Sequence, residues 1–523
     1  MMHKKLAAGV AIAALFAAGC GGDGDAGGDV TSPVGTSSAA TGDTLATSAA
    51  GGELVVGRSS TIDGLQGDQC LGAGSIVVNP LVYDTLERIA PDGQGRVPGL
   101  ASDVVYDPDA LTYTYTIRDG AKFSDGSDLL ADDVAFSIDQ WRTGPISGAY
   151  FSMIASAEAT DDHTVVVHLV QPDTFMPDLF VWCMATVYPK DFGGLTADEY
   201  FEKPVSGGPY AVESWSNPGP SETLRLVRNP YYWNADEVLL DAIEFRSSSD
   251  AGQRSLAFES GEIDVLENID SIAARTLPEG TVMSVDAMPI QYLLVNSTLP
   301  ELADSRVRQA ISRAIDRDEI VAALDGFGVP AAGVLPINVP NSVIGDEPLR
   351  TDLAEAAALM EEVGVSDLSL DLIYDNTGGD DSAVAGVVAE QLGKVGITVN
   401  LVPSDSGTIF GRLSSGDFQL AMSGAAAVSP NVMDPVSFLY FAYYPWTGAD
   451  TTMIGEQFAI GTSTVDPAEI QAAVVAIQND AWDQSTAIGL YNLEPTFGVS
   501  PNVKGFNPLP YLVWYGDGIS FQG

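Results

Sequence analysis

LTYTYTIRDGAKFSDGSDLLADDVAFSID, residues Leu111–Asp139, is the stretch from which the rest of the chain can be read. Its first part alternates. Leu111, Tyr113, Tyr115 and Ile117 fall on one face and Thr112, Thr114 and Thr116 on the other, the period-2 pattern of a half-buried strand. Arg118-Asp119-Gly120 and Asp125-Gly126 carry turn chemistry. The period then changes: Val134, Ile138 and Trp141 recur at i, i+4 and i+7, one inward face of a helix. Asp132 and Asp133 fall in its first turn, where the helix macrodipole favours negative charge. Leu130 stands at the N-cap position with no hydroxyl to offer, an omission that costs about 1 kcal/mol.

The same string resembles the signature segment of the extracellular solute-binding proteins of ABC importers, in the dipeptide, oligopeptide and nickel-binding family. That family usually carries a Thr where this chain has Leu130. Other segments extend the resemblance from Gly52 to Phe506: Leu81–Glu87, Val97–Ser102, Ser206–Trp233, Leu256–Asp264, Ser305–Leu324, Phe418–Pro435, Gly489–Asn492 and Ser500–Phe506. It implies an α/β, two-lobed periplasmic-binding-protein-like fold of the type II, cluster C kind. The first lobe is expected over 52–292 plus 495–523, with a subdomain inserted near 90–205, and the second over 293–494. The two chain crossings would form a hinge, and solute would close the lobes upon itself. Independently of any resemblance, 368–400 reads as strand, loop, helix and strand. Leu370, Leu372 and Tyr374 alternate, 375–381 is a loop, Val384–Val395 has one apolar face and Ile397–Leu401 is a second strand. That βαβ unit predicts parallel pairing in the second lobe.

Composition sets the limits. The chain has 523 residues, enough for about three domains. With 71 acidic against 23 basic residues, formal net charge −48, it has the wrong sign for a nucleic-acid partner. The acidity reads as a highly solvated surface, or as attraction for cationic ligands. At the start, His3, Lys4 and Lys5 precede a short apolar run, Leu6–Ala18, ending in Ala17-Ala18-Gly19-Cys20. This looks like a bacterial lipobox, so residues 1–20 are expected to be a lipoprotein signal whose Cys20 becomes the lipid-modified anchor. Residues 21–51 are rich in Gly, Asp, Ser, Thr and Ala and read as a flexible tether. The expected location is the outer face of the cytoplasmic membrane, in the cell envelope. Cys70 and Cys183 are left over in an exported chain and are expected to form one disulfide, with two buried thiols as the alternative.

Catalytic and metal chemistry find little support. Beyond the leader, His163 and His168 are the histidines; five apart, they face opposite sides of a strand, so they make no chelating pair. A Ser-His-Asp hydrolase would need one of them as base, and no G-x-S-x-G elbow occurs. No enzyme activity, cofactor or metal is expected; a hydrolase using paired carboxylates is a distant alternative. Arg306, Arg308, Arg313 and Arg317 project all round a helix whose apolar positions are Val307, Ala310, Ile311, Ala314 and Ile315, and are expected to pair with acids at the surface.

The candidate ligand-binding residues lie at strand ends. Ser59, Ser60 and Thr61 follow the apolar strand Gly52–Gly57, where open α/β sheets put ligands. Met422, Ser423, Gly424 and Ala425 end a second strand, and Trp446 follows with Tyr443 and Tyr444, as packing or as a cleft wall. By the resemblance, peptide-binding relatives hold the peptide's amino group with an acid three residues before a D-P step. That position is Asn431 here, and Asp434 of the step is retained. Dipeptide-binding relatives place an arginine for the peptide carboxylate after the strand that here ends at Tyr374; Asp375 stands there instead. Both charged anchors are altered. Peptide remains the expected solute, with oligosaccharide, opine-like, cationic or metal-chelate ligands as alternatives. The expected partners are that solute, ABC permease subunits and, through the anchor, the membrane; the protein is expected to be a monomer.

Overall fold

The computed structural model describes residues 48–49 and 51–522, apart from 63, 71–72, 217–220, 268, 287, 377–378 and 512. The expected signal segment, Cys20 and residues 21–47 lie outside the described residues. Ser48–Ala49, expected to be tether, form a short strand against Phe521 and Gln522.

Two mixed sheets define two lobes. The first has seven strands in the order Val282–Ser284, Thr496–Val499, Val265–Leu266, Glu53–Arg58, Ala242–Ser247, Thr223–Arg228, Tyr210–Ser216. Glu53–Arg58 is its central strand, parallel to both neighbours, with Leu54 and Val56 buried completely. The second has six strands in the order Val329–Pro330, Ala487–Asn492, Ile290–Val295, Leu420–Ala425, Leu368–Asp375, Ile397–Ser404. Leu368–Asp375 pairs in parallel with Ile397–Ser404 through the helix Gly379–Gly393, the βαβ unit that the periodicity predicts. The strand runs through Asp375 and the helix starts at Gly379, so the segment expected to be a loop over 375–381 is shorter than that.

Leu111–Asp139 builds a third layer between first-lobe strands. Thr112–Ile117 sits inside a four-stranded antiparallel sheet with Ala101–Asp107, Thr164–Leu169 and Ile154–Asp161. Tyr113, Tyr115 and Ile117 are buried, while Leu111, expected on the same face, is a turn residue with φ of 55° that starts the hairpin return. The helix Ala131–Thr143 buries Val134, Ile138 and Trp141, and the Trp141 indole N–H donates to the Thr186 carbonyl at 2.8 Å. Leu130 provides no side-chain cap; the Asp133 carboxylate accepts the Leu130 N–H at 2.8 Å instead. Cys70 and Cys183 join this insert to the first lobe, with sulfurs 1.95 Å and Cα atoms 6.0 Å apart.

The chain passes between the lobes at 285–289 and 493–495, since Ile290–Val295 already belongs wholly to the second sheet; the first crossing therefore precedes the expected boundary at 292. The crossings run side by side: the Val285 N–H donates to the Pro495 carbonyl at 3.0 Å and the Leu493 N–H to the Pro289 carbonyl at 2.7 Å. Elsewhere the lobes meet through Thr174, whose N–H reaches the Thr462 carbonyl at 2.7 Å, through Ser271 and Asp380 at 2.7 Å, and through Arg275 and Asp325 at 2.9 Å.

The arginine-bearing helix corrects the surface reading. Only Arg306 of the four pairs at the surface, with Asp304 and Glu362. Arg308, Arg313 and Arg317 are buried. Arg308 donates to the carbonyls of Leu302, Ala303 and Gln484; Arg313 pairs with Glu347 and Glu355 and lies over the Trp482 ring. Arg317 donates to the Gly489 and Ile315 carbonyls, and burial followed by the nearby Arg313 lowers its pKa to about 9. The helix ends at Ala314, and Asp316 caps a second one, so a side chain counted round one long helix turns inward at the break.

Candidate functional site

In the second sheet, Leu368–Asp375 and Leu420–Ala425 run parallel and finish on the same edge. Ile290–Val295 runs antiparallel to Leu420–Ala425, with Gln291 opposite Gly424, so the start of this strand reaches that edge too, directly after the first crossing. A pocket opens there. It is lined by Gln291, Asp375, Met422, Ser423 and Gly424 from the strands, and by Asp381 from the first turn of Gly379–Gly393. Ser406, Ile409, Phe410 and Leu413 come from the helix Ser406–Ser415, and Tyr443 and Trp446 from the segment after the second strand. Its volume is about 440 Å³, open mouth included. Edges where parallel strands end leave backbone and side-chain polar groups facing a crevice, which is where α/β sheets hold ligands.

Local chemistry sets each wall. The helix Ser406–Ser415 starts where the Asp405 carboxylate accepts the Thr408 N–H at 2.9 Å, and stops at Gly416 in the left-handed region, φ 73°. Between those ends Ile409 and Leu413, four apart, turn inward and leave Phe410 beside Trp446, ring centroids 5.4 Å apart. The Tyr443 hydroxyl donates to the Gly424 carbonyl and meets the Ser423 hydroxyl at 3.1 Å, which fixes its ring 5.9 Å from that of Trp446. Two acids, Asp375 and Asp381, line the same pocket. The Ser406 hydroxyl donates to Asp375, and the Gln291 side-chain N–H donates to Asp381 at 3.0 Å. Desolvation, and after it the neighbouring Asp375 carboxylate, push the Asp381 carboxyl up to about 7. None of the described residues lining this pocket carries a positive charge.

Of the residues singled out from sequence, Asp375, Met422, Ser423, Gly424 and Trp446 come together here. Ser59, Ser60 and Thr61 stand on the other lobe, half-buried at the end of Glu53–Arg58; Ser60 accepts hydrogen bonds from Arg58 and, at its carbonyl, from Ser247. They do not line this pocket, nor does Ala425, which pairs with Ile290 inside the sheet. Asn431 donates to Asp178 of the inserted subdomain at 2.7 Å and accepts the Met433 N–H at 2.9 Å. Asp434 is buried, and one of its oxygens accepts the N–H groups of Val428 at 2.6 Å and Ser429 at 3.0 Å, so it holds its own loop; burial pushes it up to about 7. Asp178 in turn pairs with Arg96 at 2.6 Å. Gln291, Asp381, Ser406, Ile409, Phe410 and Leu413 were not anticipated. Ile409 and Leu413 show helical spacing, but Gln291 is placed by strand pairing and Asp381 by where a helix begins, neither of which is written locally. Among the described residues no group of three His, Cys, Asp or Glu side chains could hold a metal ion, and no helix is long and apolar enough to cross a membrane.

The chain resembles known proteins over most of its length. It is 27% identical over 436 residues to the glutathione-binding protein GsiB of Salmonella paratyphi A, covering 79% of this chain and 83% of that one. Its fold matches that of the periplasmic binding protein DppA from Helicobacter pylori in complex with the peptide STSA, with a TM-score of 0.76, 21% identity and coverage of 91% and 99% of the two chains. It equally matches the binding protein AgaA of A. tumefaciens R10 in complex with agropinic acid, with a TM-score of 0.76, 22% identity and coverage of 90% and 99%. Residues 96–450, more than half the chain, match the family described as bacterial extracellular solute-binding proteins, family 5. The two-sheet fold, the strand-edge pocket and this match together place the chain in that family of non-catalytic, substrate-binding proteins of ABC importers.

Proposed function

We propose that the chain is a lipid-anchored binding subunit that captures a small peptide between its two lobes and delivers it to a membrane permease. The observation that carries this is the position of the pocket. It adjoins the first crossing, on the strand edge of the second lobe, and the contacts of Thr174 and Asn431 bring the inserted subdomain of the first lobe onto the same lobe. The described lining residues all belong to the second lobe; a solute seated on them that also reaches the first lobe across the crossing gains contacts only in the closed state, and such differential contact is what drives closure. Peptide is supported by the peptide complex of DppA and by the glutathione-binding relative. Cys20 is the proposed anchor. Mass spectrometry of solute released on denaturing the purified protein tests the reading: recovered peptide supports it. A peptide panel that leaves the melting temperature unmoved at high concentration overturns it, since a ligand of the native state must stabilise. An opine-like or other non-peptide solute is the second reading, favoured by Asp375 and Asn431 standing where charged peptide anchors are expected and by the AgaA complex. A chain with Cys20→Ser that stays with the membrane fraction would count against the anchor.

A further inference from the structure

We propose that Gln291, Asp375 and Asp381 form a seat for a positively charged group of the captured solute, an ammonium or a guanidinium; this rests on the pocket being where solute is held. Three observations converge. Two carboxylates line the same pocket, and the charge of Asp375 raises the cost of ionising Asp381, so a cation between them relieves a repulsion already present. The Gln291 side-chain oxygen is buried, with the residue 5% exposed, and has no hydrogen-bond partner. With Asp381 ionised its orientation follows from the N–H given to that carboxylate at 3.0 Å, because turning the amide would set oxygen against oxygen. A buried acceptor left without a partner is costly and asks for a donor from outside. The aromatic rings of Trp446, Phe410 and Tyr443 line the same pocket, and aromatic rings attract cations and exclude water. Ile409 and Leu413 add an apolar flank suited to a methylene stem.

The alternatives fit less well. A carboxylate would meet two acids and no counter-charge among the described lining residues. A neutral group leaves the repulsion in place. A hard divalent cation wants six to eight oxygen ligands, and rings occupy much of the wall. The chain's formal net charge of −48 adds a long-range field that concentrates cations at the mouth.

The test is calorimetry and thermal shift on the purified full-length protein with matched probes. These are Lys-Ala-Ala, its N-acetyl form, N-acetyl-norleucyl-Ala-Ala, Glu-Ala-Ala, cadaverine and agmatine. Probes with an unopposed positive group are expected to bind at least tenfold tighter than their uncharged partners, and D381N to collapse that ratio below threefold. Acetylation separates an α-ammonium from a side-chain one. If D381N does not fold, D375N carries the same measurement. Tripeptides bound without regard to charge sink the seat and leave peptide capture standing. Cadaverine or agmatine bound in the same charge-selective way, with every tripeptide failing, keeps the seat and sinks the peptide reading. No binding by any cation, or a D381N protein that discriminates as well as the parent, overturns the seat.

Discussion

Asp381 and Asp434 both have carboxyls pushed up to about 7, and Asp84 and Asp173 to about 6, in each case chiefly because burial penalises the charged form. Each binds its proton more tightly folded than unfolded, where an aspartate titrates near 3.9. Over the interval between those values the native state therefore holds protons that the unfolded chain has lost. Stability falls as pH rises through it, by up to about 1.4 kcal/mol per unit per group, and levels off once the folded values are passed. Without solute, the protein should melt higher at pH 5.5 than at pH 8, and D381N should flatten the slope; differential scanning calorimetry across that range checks both. A melting temperature that climbs towards pH 8 would contradict the burial of these acids. At this scale the sequence was readable in part. Asp375 and Trp446 were visible because strand ends and aromatic runs are local signals. Asp381 was not, since its environment is made by Gln291 from a strand some 90 residues earlier. Asn431 and Asp434 show the converse: both were legible as positions, but their hydrogen bonds go to Asp178 and to their own loop.

The helix Ala131–Thr143 shows what an element gains and lacks. Leu130 has the extended N-cap geometry, φ −119° and ψ 169°, but offers no acceptor. Leu130→Thr should supply one and raise stability by about 0.5–1 kcal/mol, measured by urea denaturation; no change would mean that Asp133 already does the whole work of the cap. The disulfide acts on a larger loop. Cys70 and Cys183 are 113 residues apart, so cross-linking restricts the unfolded chain strongly. The C70S/C183S variant should lose about 2–5 kcal/mol, with the inserted subdomain becoming the first region to exchange its amide hydrogens. Elements were the most legible level. The alternation in Thr112–Ile117 and the period of Val134, Ile138 and Trp141 predict strand and helix because one face of each is buried. What periodicity does not convey is a break: Ile315 continues the apolar pattern of its helix, yet its backbone is extended and reorients Arg317 into the core.

At the scale of the whole molecule, the bond from Asn431 to Asp178 joins the lobes. Restoring the family's acid there should have an effect opposite to repair. Asn431→Asp would set a second carboxylate about 3 Å from the buried Asp178, where like charges repel strongly. The solute-free protein should open, with a larger radius of gyration by small-angle X-ray scattering; an unchanged radius would mean that other contacts hold the lobes. Two lobes could be inferred from sequence only by resemblance, because nothing local marks where a chain leaves one sheet for another; the crossings fall at 285–289 and 493–495 in segments without periodicity. The placement of Thr496–Val499 has its own consequence. This strand is inserted between Val265–Leu266 and Val282–Ser284, and it is reached only after the entire second lobe has been spelled out. As the chain emerges from the translocation pore, the first-lobe sheet must wait with a gap one strand in from its edge, where Val265–Leu266 and Val282–Ser284 lack their partner. The second lobe can mature in that interval. The first cannot, so this family member is exposed to self-association until almost its last residues are outside, and its vulnerability to stalled export is built into strand order.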